Sequence, residues 1–221
     1  MAAAPAPFRS GDVVVVAHKV VSKAEGRVRR LEAIAPSQDA RALASAQGKD
    51  ARVVQAVLDE SVRIVRAARG VIVCETRHGF VCANAGVDAS NSSAPGELVL
   101  LPQDPDASAR ALRARLPERP AVIVSDSFGR AWRVGQTDVA VGAAGVIAVD
   151  DWRGRADSAG HELRATAIAV ADSIAAAADL ARAKDSRQPA ILIRGLERFV
   201  TADDGPGARA LRRDAESDLF R

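Results

Sequence analysis

At the centre of the sequence stands Val122-Ile123-Val124-Ser125-Asp126-Ser127-Phe128-Gly129-Arg130. Its β-branched start predicts a strand that is buried on both faces of a sheet. We expect this strand to end at Val124, so that Asp126 and Ser127 lie in the loop of residues 125–130 that follows. Residues 13–16 are all valine and predict a second buried strand, continuing through residues 20–23 to end at Lys23.

The remaining apolar patterns indicate more strands and several helices. The predicted elements are a β-hairpin at residues 71–74 and 80–82, a strand at 190–193, and helices at 38–68, 106–116 and 166–184. Hairpins mixed with helices favour an α+β fold, with mixed or antiparallel sheets and flanking helices, over a regular alternation of strands and helices.

Composition and charge exclude several classes of protein. The chain has 221 residues, a net charge of +3 and only 3% aromatic residues, so it has little material for stacking on single-stranded nucleic acid. No run approaches the roughly 18 apolar residues of a membrane span. The two cysteines, Cys74 and Cys82, match neither a zinc site nor a disulfide framework. These features predict a soluble cytoplasmic protein that binds neither nucleic acid nor membrane.

Two acidic segments follow predicted strands. One is Asn84-Ala85-Gly86-Val87-Asp88-Ala89-Ser90-Asn91, and the other is Ser125-Asp126-Ser127. Hard divalent cations such as Mg²⁺ and Mn²⁺ prefer oxygen ligands, so one acid from each of two converging loops would suit them. Judged by spacing alone, an aspartate that caps its own turn is the more ordinary interpretation.

A lysine and a glycine-bearing segment are candidates for phosphate binding. Lys23 would supply a mobile positive charge, although a solvated surface lysine is the simpler interpretation. Residues 135–145 combine several glycines with Asp138, but they match neither a Walker loop nor a dinucleotide fingerprint. A nucleotide would therefore bind in a less familiar cradle.

The sequence offers no obvious covalent nucleophile. His18, His78 and His161 show no paired spacing, and no nucleophile elbow is present, so ordinary structural roles are expected for the histidines. Trp132 and Trp152 lie in polar segments, where an indole can stack on a planar ligand or pack against the protein.

Taken in order, these motifs resemble the coenzyme F420:L-glutamate ligase family, also described as F420-0:gamma-glutamyl ligases. The resemblance runs from about Gly11 to the end of the chain. It is carried by residues 11–15, 19–27, 84–91, 100–109, 125–133, 135–145, 169–172, 193–195 and 218–221.

The resemblance implies a fold, a reaction and a set of binding residues. Family members are intertwined α+β homodimers that use GTP to join L-glutamate to the coenzyme F420 precursor through an acyl phosphate, with Mg²⁺ or Mn²⁺ and a monovalent cation. By position, Asp88 and Asp126 would be the catalytic and metal-binding acids, together with the Ser127 hydroxyl. Lys23, Asn91 and, in the segment 184–188, Lys184 would contact GTP.

The chain also departs from the family pattern. Members usually begin with a further segment that helps to hold the nucleotide, whereas here Met1-Ala2-Ala3-Ala4-Pro5-Ala6-Pro7 leads almost directly into the first strand. We therefore expect residues 1–10 to be a short tail and residues 11–221 to form the ligase domain. Ala167 and Ser173 stand where relatives commonly carry glutamates. The alternative is a non-catalytic or altered-substrate deazaflavin-binding homologue without a full GTP site.

Overall fold

The computed structural model describes residues 7–90, 92, 94–183 and 185–218. The helices and strands, numbered along the chain, are β1 (Val13–Ala17), α1 (His18–Ala24), β2 (Val28–Arg30), α2 (Gln38–Gln47), α3 (Ala51–Asp59), β3 (Ser61–Ala68), β4 (Val71–Thr76), β5 (Val81–Ala83), β6 (Glu97–Val99), α4 (Pro105–Arg115), β7 (Ala121–Arg130), β8 (Arg133–Ala144), β9 (Val149–Asp151), β10 (Ala167–Ala169), α5 (Val170–Ala181) and β11 (Ala190–Ile193). The mixture confirms the predicted α+β class.

The chain divides into two compact units. Unit 1 comprises the described parts of Met1–Ala17, Pro105–Ser127 and Thr137–Arg221, and unit 2 comprises His18–Asp104 and Phe128–Gln136. The boundaries proposed from the sequence, a tail at 1–10 and a ligase domain at 11–221, stay predictions. Among the described residues, no helix combines the length and the apolar character that a membrane crossing requires.

Unit 1 is built on a four-stranded sheet in the order β11-β1-β7-β8. Strand β1 runs antiparallel to β11 and parallel to β7, with Val15 opposite Ile123. Helix α5 packs on this sheet through Ala171, Ile174 and Ala175, whose small or branched side chains join the same core. Each Val or Ile that leaves water in such a core contributes about 1.5–3 kcal/mol.

The expectation of a loop at residues 125–130 was wrong. Strand β7 continues to Arg130 and turns at Ala131 and Trp132 into β8, so this segment forms a hairpin. Its tip packs within unit 2, where the Phe80 and Phe128 rings make an edge contact at 6.3 Å between centroids. Asp126 and Ser127 therefore lie on a strand.

Unit 2 has a three-stranded antiparallel sheet, β3-β4-β5, and a separate β2-β6 pair. The predicted hairpin of β4 and β5 is confirmed, with Cys74 opposite Cys82. Helices α2 and α3 cover a core that includes Val57, Ile72 and Leu98. The free Cys74 thiol lies in this core, and burial raises its pKa.

Three of the predicted elements differ from the structure. Residues 20–23 belong to helix α1, so Lys23 lies in the last turn of a helix and does not end a strand. The helix predicted at 38–68 is interrupted at Gly48, in the left-handed conformation with φ 64°, and after α3 the chain becomes strand β3 because it pairs with β4. Residues 167–169 form strand β10, and the helix predicted from 166 starts at Val170.

Candidate active site

Unit 1 carries a hydrogen-bonded cluster where the parallel pairing of β1 with β7 ends. Strand β1 makes its last pair with β7 between Ala17 and Ser125. The Ser125 hydroxyl donates to Asp138 Oδ2 at 2.8 Å, and the Ser127 hydroxyl donates to Asp138 Oδ1 at 2.6 Å. Alternate residues of a strand share a face, which is why both serines reach the same carboxylate.

Arg182 supplies positive charge to this cluster. The Asp138 side chain is 3% exposed, and Arg182 Nη1 lies 3.4 Å from its Oδ2 atom. Arg182 Nη2 reaches the Val15 carbonyl at 3.5 Å, whereas its buried Nε has no hydrogen-bond partner among the described residues. The guanidinium thus compensates a buried charge through long contacts, while the two short bonds go to the serines.

Asp126 lies between the two serines and is half-buried. Its Oδ1 atom accepts the backbone N–H of Ser127 at 2.8 Å, an arrangement that fixes the carboxylate beside the Ser127 backbone. Strand β1 ends at the level of Ser125, so this part of β7 extends beyond its parallel neighbour. A carboxylate and a hydroxyl are therefore held on consecutive residues of a rigid strand, and both are ligands that hard cations accept.

Unit 2 carries a second polar cluster around Asp88. Lys19 Nζ donates to Asp88 Oδ2 at 2.6 Å and to the Ser90 hydroxyl oxygen at 2.7 Å. Ser90 donates its backbone N–H to Asp88 Oδ1 at 2.7 Å and its hydroxyl to Oδ2 at 2.8 Å. Two backbone hydrogen bonds join Asp88 to Val99, so the backbone from which the carboxylate extends is held in place.

These contacts alter the proton affinity of Asp88. Burial alone would raise the pKa of this carboxyl, but the hydrogen bonds from Lys19 and Ser90 and the lysine charge outweigh burial and lower the pKa. Asp88 is therefore an anion at neutral pH, which is the form that binds a cation.

The turn before Asp88 is conformationally strained. Asn84 and Ala85 both have φ of 52°, a left-handed conformation that is costly for alanine. Gly86 follows with φ of 72°, and a Cβ at that position would collide with the Leu101 side chain. The buried Asn84 Oδ1 has no hydrogen-bond partner among the described residues. Such strain persists where the surrounding structure holds the chain in place.

Comparison with known sequences decides the family. A sequence profile of the family F420-0:Gamma-glutamyl ligase matches residues 1–195. The chain is 45% identical over 222 residues to the coenzyme F420:L-glutamate ligase of Methanopyrus kandleri, covering 98% of this chain and 88% of that protein. The enzymes of the same name from Methanothermobacter thermautotrophicus and Archaeoglobus fulgidus are 46% and 44% identical, over 96% and 97% of this chain and 85% and 86% of theirs.

The chain belongs to the F420-0:gamma-glutamyl ligase family. This confirms the resemblance drawn from the motifs, since the match extends over most of the chain. Family membership also supports a role as a ligase.

The site residues predicted from the family motifs are distributed over both units, and two of them lie outside the described residues. Asp88 lies in unit 2, whereas Asp126 and Ser127 lie in unit 1, and their convergence stays a prediction. Lys23 is half-buried in the last turn of α1. Because it follows Lys19 by four residues, both lysines lie on the same face of the helix. The predicted GTP contacts Asn91 and Lys184 lie outside the described residues.

Two polar residues of these clusters had no assigned role in the sequence interpretation. Lys19 was overlooked because residues 20–23 were predicted to be a strand, and the spacing of four between Lys19 and Lys23 has meaning only on a helix. Asp138 was noted only as an acid near glycines. The signal for it was the alternation of Ser125 and Ser127, which points two hydroxyls towards one neighbouring strand.

Two of the histidines make hydrogen-bond contacts within the protein, and the two tryptophans differ in their exposure. His18 Nδ1 lies 3.2 Å from the Ser22 hydroxyl, and His78 Nε2 lies 2.9 Å from the Pro102 carbonyl. Trp152 donates to Asp150 at 2.8 Å, whereas Trp132 is 81% exposed at the tip of the β7-β8 hairpin.

Proposed function

We propose that this protein is a GTP- and divalent-metal-dependent ligase that adds L-glutamate to the coenzyme F420 precursor. The observation that carries the proposal is the pair of oxygen-rich clusters at Asp88 and at Asp126 with Ser127, in a chain of this ligase family. A location in the cytoplasm and the use of a monovalent cation belong to the same proposal.

The donor atoms fit a hard divalent cation. Asp88, Asp126 and Ser127 offer two carboxylates and a hydroxyl, and Mg²⁺ is usually held by one or two carboxylates together with phosphate oxygens and water. Within the described residues, no group of three or more His, Cys, Asp or Glu side chains gathers into an all-protein metal cage. This absence is compatible with a metal that relies on the nucleotide for its remaining ligands.

The two clusters are close to each other along the chain at the junction of β1 and α1. Ala17 pairs with Ser125 at the end of the parallel strands. Lys19, which bonds to Asp88, follows Ala17 by two positions in the sequence. We propose that Asp88, Asp126 and Ser127 would be the residues that hold the divalent cations.

The bound cations would neutralise charge on the phosphates, and the protein would position the reactants. In the first step, a carboxylate oxygen of the precursor attacks the γ-phosphorus, the bond to the β,γ-bridging oxygen breaks, and GDP leaves. The glutamate nitrogen then attacks the acyl carbon and releases phosphate, giving up its protons to phosphate and solvent. Positioning and charge neutralisation suffice for phosphoryl transfer, so no protein nucleophile is needed.

Lys19 and Lys23 would contribute to the nucleotide side of this site. Both ammonium groups belong to the same face of α1, and Lys19 already lies at the candidate metal ligand Asp88. A lysine acts on phosphate as a mobile point charge. We propose that both lysines attract the triphosphate, together with Asn91 and Lys184.

The direct test is a turnover assay with purified protein, GTP, Mn²⁺, L-glutamate and the coenzyme precursor. The expected result is release of phosphate together with a glutamyl mass gain on the precursor. An absence of both at saturating protein would overturn the proposal. The intertwined homodimer is part of the proposal, and light scattering that gives the mass of a single chain would argue against it.

A second candidate is a homologue with an altered acceptor, and sequence departures favour it at two positions. Ala167 is exposed on β10, and the Ser173 hydroxyl donates to the Ala169 carbonyl at 2.8 Å within the first turn of α5. Neither side chain supplies the carboxylate that the family resemblance leads us to expect there. Replacing the precursor by other carboxylic acids in the same assay separates the two candidates.

A further inference from the structure

The Asp138 carboxylate controls the direction of two hydroxyl protons. An ionised carboxylate can only accept hydrogen bonds, so Ser125 and Ser127 must each use their single hydroxyl proton to reach it. The Ser127 proton is directed to Oδ1 at 2.6 Å. The Ser127 oxygen consequently presents lone pairs, and no proton of its own, to any other group that approaches it.

The two serines differ in their exposure to solvent. Ser125 is 1% exposed and is enclosed with Asp138, whereas Ser127 is only partly buried. Ser125 therefore anchors the carboxylate from inside the sheet, and only Ser127 remains accessible to a ligand. Groups that orient a metal ligand through its other hydrogen bond commonly tune metal affinity.

We propose that Asp138 is a positioning residue for the divalent cation, acting by directing the Ser127 hydroxyl oxygen towards it. The proposal rests on the metal-dependent function proposed above. Arg182 completes the arrangement because it compensates the carboxylate charge from the Oδ2 side and leaves Oδ1 to Ser127.

Asp138→Asn tests this geometry because it changes one acceptor into a donor at nearly constant volume. The Arg182 guanidinium lies on the Oδ2 side, so the asparagine oxygen will face Arg182 and the amide NH₂ will face Ser127. Ser127 then accepts a hydrogen bond from the amide, and its own proton turns towards the metal position. A proton there repels a cation, so the metal should bind more weakly.

The measurement is Mn²⁺ affinity by electron paramagnetic resonance titration of free Mn²⁺, with thermal unfolding recorded for each protein. We expect Asp138→Asn and Ser127→Ala each to weaken binding by about 10–100-fold. In the Ser127→Ala background, adding Asp138→Asn should change the affinity by less than about twofold, because the two residues act through one oxygen. Wild-type affinity in Asp138→Asn, or additive losses in the double variant, would overturn the inference.

A control variant shows whether the change in Mn²⁺ affinity is specific to Asp138. Asp106→Asn is the matched control, because Asp106 is another buried aspartate of unit 1, whose Oδ1 atom accepts the backbone N–H groups of Ala143 and Ala208. It should lose stability and keep wild-type Mn²⁺ affinity. If Asp138→Asn does not fold, Ser127→Ala carries the test, and wild-type affinity in that variant would equally overturn the inference. A wild-type protein that binds no Mn²⁺ would refute the proposed metal-dependent function itself.

Discussion

The Lys19 ammonium lies 2.6 Å from Oδ2 of Asp88, so the candidate metal ligand already holds a cation supplied by the protein. Ser90 occupies the other carboxylate oxygen through its backbone N–H. A divalent cation that binds at Asp88 must therefore compete with the ammonium, and the displaced lysine remains available to a phosphate. This relationship gives opposite expectations for metal and nucleotide binding when Lys19 is changed.

Lys19→Met should strengthen the binding of Mn²⁺ alone by several-fold and weaken the binding of GTP by about tenfold, which corresponds to roughly 1.4 kcal/mol. The methionine keeps the aliphatic bulk and removes the competing charge. Calorimetry with each ligand separately measures both effects. Lys19→Arg, which retains the charge, is the control. Weaker Mn²⁺ binding in Lys19→Met would show that the lysine organises the metal site and does not compete with it.

Asp126→Asn should reduce turnover by roughly 1000-fold or more while leaving unfolding nearly unchanged, because it removes a charge at the proposed metal and little volume. Phosphate release and thermal unfolding are the two measurements. Asp39→Asn, at an exposed position in the first turn of α2, is the control and should keep full activity. Retained activity in Asp126→Asn would mean that the cations lie elsewhere.

Asp172 gives a prediction about pH. Burial raises the pKa of its carboxyl, against the lowering effect of a hydrogen bond from the Ala140 N–H. A raised carboxyl pKa means that the folded protein binds the proton more tightly than the unfolded chain does, so stability falls as pH rises from the unfolded pKa, near 3.8, through the folded pKa. Asp172→Asn should therefore raise Tm at neutral pH, and the gain should disappear below about pH 3.8. A gain that is the same at every pH would exclude this cause.

Much of unit 1 was predictable because several of its strands are continuous apolar runs, which are buried in β1 and in the first part of β7. Strands β1 and β11 and the first part of β7 follow from the runs at 13–16, 190–193 and 122–124. The end of β7 was not predictable in the same way. Its residues 125–130 are polar and small, and their strand conformation depends on pairing with β8, which lies outside the local sequence.

Unit 2 shows where a local sequence pattern predicts the wrong element. Val62 and Val65 continue a helical spacing from α3, but they lie on β3, where pairing with β4 overrides that spacing. Val62 is 65% exposed, so its apolar side chain did not mark a buried strand position either. In the candidate site, Asp88 and Asp126 were identified because each aspartate follows a predicted strand and belongs to a family motif. The contacts of Lys19 and Asp138 depend on tertiary neighbours 69 and 11 to 13 positions away.

Gly142 lies on β8, the strand that carries Asp138, at a position where a side chain has no room. A Cβ on Gly142 would collide with the backbone carbonyl of Pro105 at the start of α4, and backbone cannot rotate away as a flexible side chain can. Gly142→Ala should therefore destabilise by about 1–3 kcal/mol or more through overpacking. For a chain of this size, that corresponds to a fall in Tm of roughly 2–12 °C.

Gly129→Ala is the matched control for Gly142→Ala, because Gly129 also lies in a strand, and an added Cβ there would meet nothing within 4 Å. Differential scanning calorimetry of both variants beside the wild type should show a lower Tm for Gly142→Ala alone. Equal Tm values for the two variants would mean that α4 can move away from β8 at little energetic cost. Such freedom would contradict the tight packing of α4 and β8 that leaves no room for a side chain at Gly142.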